Sequence, residues 1–226
     1  MNAAVTATSA VTAAAAQVPY WVAVLTPEER SFGSRRTDPR IDTVDSSVVT
    51  TVRTQWTGAD LPNSTTLLAV LADTVGSWQS DRCRSCASGV LVDIESSPST
   101  YFPVRLPTRG HVATLIEEVR RRIAGAPNGG SDYRTVKNTL NSPALDRKQG
   151  AQIAFRYGTE TTTDDNTTIP DDSEPLTHSL TVTCDTTVVD GVTMVDTDFR
   201  WNCRIFTRAD VDDFERFWEK TISVFV

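Results

Sequence analysis

The chain has 226 residues, of which 39% are hydrophobic and 23% charged, values that exclude a wholly disordered chain and suit one globular domain with an ordinary core. A net charge of −7 and an isoelectric point near 4.9 argue against nucleic acid or an anionic membrane surface as the main partner, since both reward a clustered basic face. Nothing approaches the roughly 18 consecutive apolar residues of a spanning helix. Four cysteines fit a reducing compartment, so the cytoplasm is the expected location.

Residues 1–15 read as a loose Ala/Thr leader, because they lack the basic and Leu-rich regions of a signal peptide; a short helix follows around Ala14 to Leu25. The next periodic stretch runs from Ser64 to Gln79, where Leu67, Leu68, Leu71, Val75 and Trp78 fall on one helical stripe behind Asn63 or Ser64 as N-cap. The "CRSC" at Cys83 and Cys86 has the spacing of a chelating or redox pair. No second such pair exists, and His111 and His178 stand apart in sequence, so no metal or redox role is expected.

Val90 to Glu95 alternates as a strand and ends on a lone carboxylate, Glu95, before "SSPST" and a second apolar stretch, "YFPVRL". A helix is predicted from Thr108 to Ala124, with Val112, Leu115, Ile116, Val119 and Ile123 on one face, Gly125 at its end and Arg120 to Arg122 as its solvated side. A short helix over Asp132 to Leu140 and a strand over Ala151 to Tyr157 come next. Residues 159–175 are acidic, Thr-rich and poor in large side chains, which predicts a mobile loop within the domain.

Asp190-Gly191 suits a two-residue type I′ turn. It fixes a hairpin over Ser179 to Cys203 with Val189 opposite Val192, and sets Leu180, Val182, Cys184 and Val188 against Trp201, Phe199, Thr197 and Thr193. On the other face Asp185 then lies across from Asp196, with Asp198 two residues on. Facing carboxylates need water or a cation between them, and a solvated face is expected because no glycine-bearing cation loop is present. The last helix opens with a Thr207/Asp210 cap and buries Val211, Phe214, Phe217, Trp218 and Ile222. The succession of helices, strands and a hairpin predicts an α/β (α+β) lobe with helices packed on a mixed sheet. No phosphate loop, nucleophile elbow or zinc-protease motif can be read from it.

From "VPYW" at 18–21 to the final helix, the sequence resembles the C-terminal half of a nonribosomal peptide synthetase condensation or epimerization domain, of the chloramphenicol acetyltransferase-like superfamily. "RRTDPRIDTV" is similar to the family's L-D-P-x-x-D-T segment, "NSTTLLAVLADTVGSW" to its N-D-x-L-L-x-A-L helix, and "VLVDIE" to the strand leading into the epimerization motif E-G-H-G-R. Further on, "YFPVRL", "APNGGSDYRTVKNTL", "QIAFRYG" and "DGVTMVDTDFRW" resemble later segments in the right order. The resemblance implies a single lobe of a V-shaped pair, over residues 16–226, acting on thioesters carried by the phosphopantetheine arm of a peptidyl carrier protein in the assembly of peptide secondary metabolites. No bound cofactor of its own is implied. Glu95 takes the place of the motif's glutamate, an acid/base for inverting an aminoacyl α-carbon.

Several features depart from the pattern. The family's His-His-x-x-x-Asp-Gly motif, carried by the N-terminal lobe, is absent; Ser96, Ser97 and Pro98 replace Gly-His-Gly; the loop before Tyr101 is shorter; and Arg156 replaces the Asn of F-N-Y-L-G. One carboxylate at a strand end, with half the cleft missing, would be solvated. Three readings follow: half of a split domain that acts with an N-terminal lobe on another chain, a degenerate docking module or relic, and a small independent acyltransferase, against which the lack of a nucleophile or histidine base counts. Loss of a lobe should also bare apolar surface and favour self-association.

Overall fold

A computed structural model describes residues 12–225, except 59, 85–86, 98–99, 140–141 and 159–170, together with the side chains of 96, 97 and 139. Most of the acidic loop expected at 159–175 therefore lies outside the described residues. Its end is held in place: the backbone N–H of Val44 donates to Glu174, that of Asp45 donates to Asp172, and Thr43 bridges to Pro175.

The elements are α1 (Val18–Val24), β1 (Ser47–Trp56), α2 (Ser64–Asp81), β2 (Val90–Ser97), β3 (Thr100–Leu106), α3 (Val112–Ala124), α4 (Tyr133–Thr139), α5 (Pro143–Asp146), β4 (Ile153–Gly158), β5 (Leu180–Val189), β6 (Val192–Asn202) and α6 (Arg208–Phe225). The six strands form one mixed sheet in the order β1-β6-β5-β4-β2-β3. β4 runs parallel to β2 and β5, and the other pairs are antiparallel. This is the α/β lobe with a mixed sheet that the sequence predicts.

α2 forms where expected, with the Asn63 side chain accepting from the Thr66 N–H at 3.0 Å as its N-cap. It is buried nearly all round, because α3 and α6 flank it and the sheet lies beneath. α6 keeps its predicted cap, the Asp210 carboxylate accepting from the Thr207 N–H at 2.9 Å and the Thr207 hydroxyl from the Asp210 N–H at 3.2 Å. Phe214 then sits among Phe32, Trp78, Phe199 and Trp201, with ring centroids 5.1–6.2 Å apart. The hairpin register is the predicted one, from Val189↔Val192 to Leu180↔Trp201, and both turn residues, Asp190 and Gly191, have positive φ (52° and 79°) as a type I′ turn requires.

Two elements differ from expectation. β1 has no counterpart in the sequence reading, since only Val52 and Trp56 of its ten residues are buried and the period-2 signal is weak. β2 continues past Glu95 to Ser97 and closes a hairpin with β3, so Glu95 is not strand-terminal.

The "TDPRIDT" segment is a clasp. The fully buried Asp42 carboxylate accepts two hydrogen bonds from Arg35, at 2.7 and 2.8 Å, and one from the Asp38 N–H at 2.9 Å. Its backbone carbonyl accepts from Leu176, which ties the segment to the entry of β5. Among the described residues, no helix is long and apolar enough to cross a membrane.

Candidate functional site

The core side of the sheet takes Val92, Ile94, Ile153, Phe155, Leu180, Val182, Phe199 and Trp201. Alternation sends the intervening residues to the opposite face. Asp93 and Glu95, two apart on β2, therefore project together, with Tyr101 of β3 paired to Glu95. The parallel register Ile94↔Phe155 places Arg156 of β4 beside Glu95, and β5, β6 and β1 extend the same row through Thr183, Asp198 and Thr51.

Glu95 and Arg156 form an ion pair, with the Glu95 side chain 10% exposed and that of Arg156 48% exposed. The Arg156 guanidinium also donates to the Tyr101 hydroxyl at 3.0 Å. Burial lowers its proton affinity, but the Tyr101 and Glu95 contacts outweigh burial and hold its pKa above the usual arginine value. The expectation of a solvated carboxylate is thus corrected: the neighbouring strand supplies a cation, Arg156. A bulge between Glu95 and Ser97 bends β2 at this point.

His178, in the segment entering β5, approaches from the other side of Tyr101, with ring centroids 5.8 Å apart. Its Nε2 lies 2.9 Å from Asp93 Oδ2, and its Nδ1 lies 2.9 Å from the Thr177 hydroxyl. A carboxylate only accepts, so Nε2 carries a proton toward Asp93. Both ring nitrogens are engaged by the chain's own groups, and the imidazole offers no vacant basic nitrogen in this arrangement. Tyr101, Arg156, His178, Thr181, Thr183 and Arg200 help to line a shallow cavity of about 350 Å³ over this row.

The sequence pointed to Glu95 and missed its company. Asp93 could have been found, because strand alternation puts it on the Glu95 face. His178 and Arg156 join only through the parallel β2-β4-β5 pairing, which has no local signal. His111 stands at the N-cap position of α3, with no side-chain capping bond, and Cys83 is a free, exposed thiol; Cys86 lies outside the described residues. On the carboxylate ladder, Arg53 of β1 bonds the Asp196 carboxylate through two nitrogens, at 2.5 and 2.9 Å, so a guanidinium takes the part expected of water. Asp185 is left with a raised pKa, from burial and then from Asp198 and Asp196. Among the described residues no cluster of three or more His, Cys, Asp or Glu side chains could hold a metal ion.

A mixed sheet in this order, with a polar row on its open face, is a fold shared with solved structures. Among solved structures, the chain is similar to the epimerization domain from the third module of tyrocidine synthetase B (TM-score 0.69, 13% identity, 94% of this chain and 55% of that one). It is also similar to the X-domain from teicoplanin biosynthesis (TM-score 0.64, 13% identity, 92% and 54%) and to a chloramphenicol acetyltransferase (TM-score 0.53, 12% identity, 80% and 90%). The chain thus spans about half the length of the epimerization domain and of the X-domain, and at such identities the likeness is one of fold. No protein-family model and no curated protein sequence matches it.

Proposed function

We propose that the chain is the C-terminal lobe of a condensation- or epimerization-type domain serving peptide assembly on carrier-protein thioesters, and that it is catalytically incomplete until an N-terminal lobe joins it, in the same polypeptide or from another. The observation that carries this reading is coverage: 94% of the chain is accounted for by 55% of an epimerization domain. Inverting an α-carbon requires a base, a group that returns the proton, and a site closed to water. Glu95 is likened to the motif glutamate by sequence resemblance alone, and it is paired with Arg156. We assign it to positioning: it joins β2 to β4 beneath Tyr101. The phosphopantetheine arm of a carrier protein is the substrate arm in this reading, and no resident cofactor is invoked.

The test is to incubate the chain with a carrier protein bearing an aminoacyl thioester, with and without a family N-terminal lobe, and to follow α-proton exchange, chirality of the released amino acid and peptide formation. The chain alone is expected to give none of these. Exchange by the chain alone that Glu95→Gln abolishes would overturn the reading. One observation favours a second reading, a non-catalytic docking module: a matched X-domain (TM-score 0.62, 12% identity) was solved in complex with OxyB. In that case the N-terminal lobe binds without restoring turnover.

A further inference from the structure

We propose that the cavity at the corner between β3 and α3, remote from the Glu95 row, binds a phosphate-type oxyanion, either free or as a monoester. The cavity measures about 310 Å³ and is lined by Arg105, Arg109 and Arg122, from a strand, a loop and a helix, with Ser88 and Thr108 beside them. No carboxylate is among its lining residues, in a chain whose net charge is −7.

The three lining arginines are held by different kinds of partner. Arg105, its side chain 8% exposed, is fixed by the carbonyls of Val24 and Pro27 at 2.9 and 2.8 Å and pairs with Glu29 at 3.7 Å. Glu118 serves two guanidinium groups, those of Arg121 and Arg122. Arg109 donates to the Ser80 hydroxyl at 3.2 Å, a neutral partner. Among the described residues, then, Glu29 and Glu118 are the carboxylates paired with the three lining arginines, and Glu118 is shared with Arg121.

The walls are set by backbone and not by mobile side chains alone. Gly89 has φ +83°, and a Cβ there would lie 2.1 Å from the Leu106 carbonyl oxygen, so the 87–89 turn crosses directly over the end of β3. A Cβ on Gly76 of α2 would lie 2.4 Å from the Thr108 carbonyl oxygen, which seats the loop that carries Arg109. Planar guanidinium groups on a fixed frame suit the paired oxygens of phosphate better than those of a spherical halide.

Binding is read by thermal unfolding and by calorimetry, with inorganic phosphate and glycerol phosphate each compared with chloride at constant ionic strength. Saturable stabilisation by phosphate beyond chloride is expected, and Arg109→Gln and Arg122→Gln should each weaken it by roughly tenfold, the loss of one charge-assisted contact. Arg120→Gln, on the same helix but outside the lining, should bind as the parent does. A stronger response to glycerol phosphate identifies a monoester as the preferred ligand, and equal responses identify the free ion. Stabilisation no greater than that by chloride, binding that survives the Arg109→Gln/Arg122→Gln double variant, or an equal loss in Arg120→Gln would each overturn the proposal.

Discussion

At the scale of single residues, Glu95 and Arg156 sit on adjacent strands and form one ion pair. A buried carboxylate stripped of its partner costs free energy, while the half-exposed arginine limits the net gain through solvent screening. Glu95→Gln is therefore expected to lower stability by about 1 kcal/mol. Arg156→Gln should act similarly, and the two losses should fail to add; a double-mutant cycle in urea measures the coupling. A larger and pH-dependent contribution belongs to Asp42. The Arg35 guanidinium beside it, with the Asp38 N–H, overcomes burial and lowers its pKa from 3.8 to about 2. A depressed folded-state pKa gives stability that is present above the unfolded value and lost as pH falls through the folded one. The parent should accordingly lose this contribution between about pH 4 and pH 2. Asp42→Asn should be less stable at neutral pH, by about 2 kcal/mol with Arg35 partly exposed, and should show a flatter acid limb in urea midpoints taken across that range.

At the scale of elements, what the sequence announced was local. The Asp190-Gly191 hairpin, the Asn63 cap and the Thr207/Asp210 cap rest on a few adjacent residues, and each stands where expected. α3 begins at Val112, four residues later than predicted, because Thr108 is used to pack against α2 at Gly76. β1 was illegible since an edge strand exposes both sides of much of its length, and its threonines and Arg53 mask the alternation. The candidate site was half legible for a related reason: Glu95 followed from resemblance and Asp93 from strand period, but the partners arrive by pairings between segments 60–90 residues apart. The helices act through one aromatic cluster. Phe214 is its hub, fully buried and in contact with rings from α2 and β6. Phe214→Ala should cost about 3–5 kcal/mol through the cavity it leaves, and a Tm fall much smaller than that of other large core truncations would show that the cluster can collapse around it.

For the whole molecule, the open face of the sheet is largely polar. Arg156, Thr183, Asp198 and Thr51 form one row across the sheet's open face, and Arg53 and Asp196 pair in another, because each strand of that face alternates outward with Thr, Asp or Arg. Large exposed apolar side chains are instead scattered: Val48 and Val49 on β1, Val188, Val189 and Val192 at the hairpin tip, and Ile41, Leu61 and Val224 elsewhere. Apart from the three valines of the hairpin tip, this exposure among the described residues is dispersed, as is ordinary for a monomer. The chain alone is therefore expected to sediment as a monomer and to bind little hydrophobic dye, and self-association would instead point to the hairpin tip. If an N-terminal lobe docks on the Glu95 face, the contact would be made through charged and hydroxyl groups that water and salt can reach. Its affinity should then fall as ionic strength rises from about 0.05 to 0.5 M, across which the screening length drops from more than 10 Å to roughly 4 Å. Arg156→Gln and Arg200→Gln should weaken docking at low salt more than at high salt. Titration of labelled lobe at several salt concentrations measures both effects, and an affinity that is constant or grows with salt would move the docking surface from this polar face to the apolar hairpin tip.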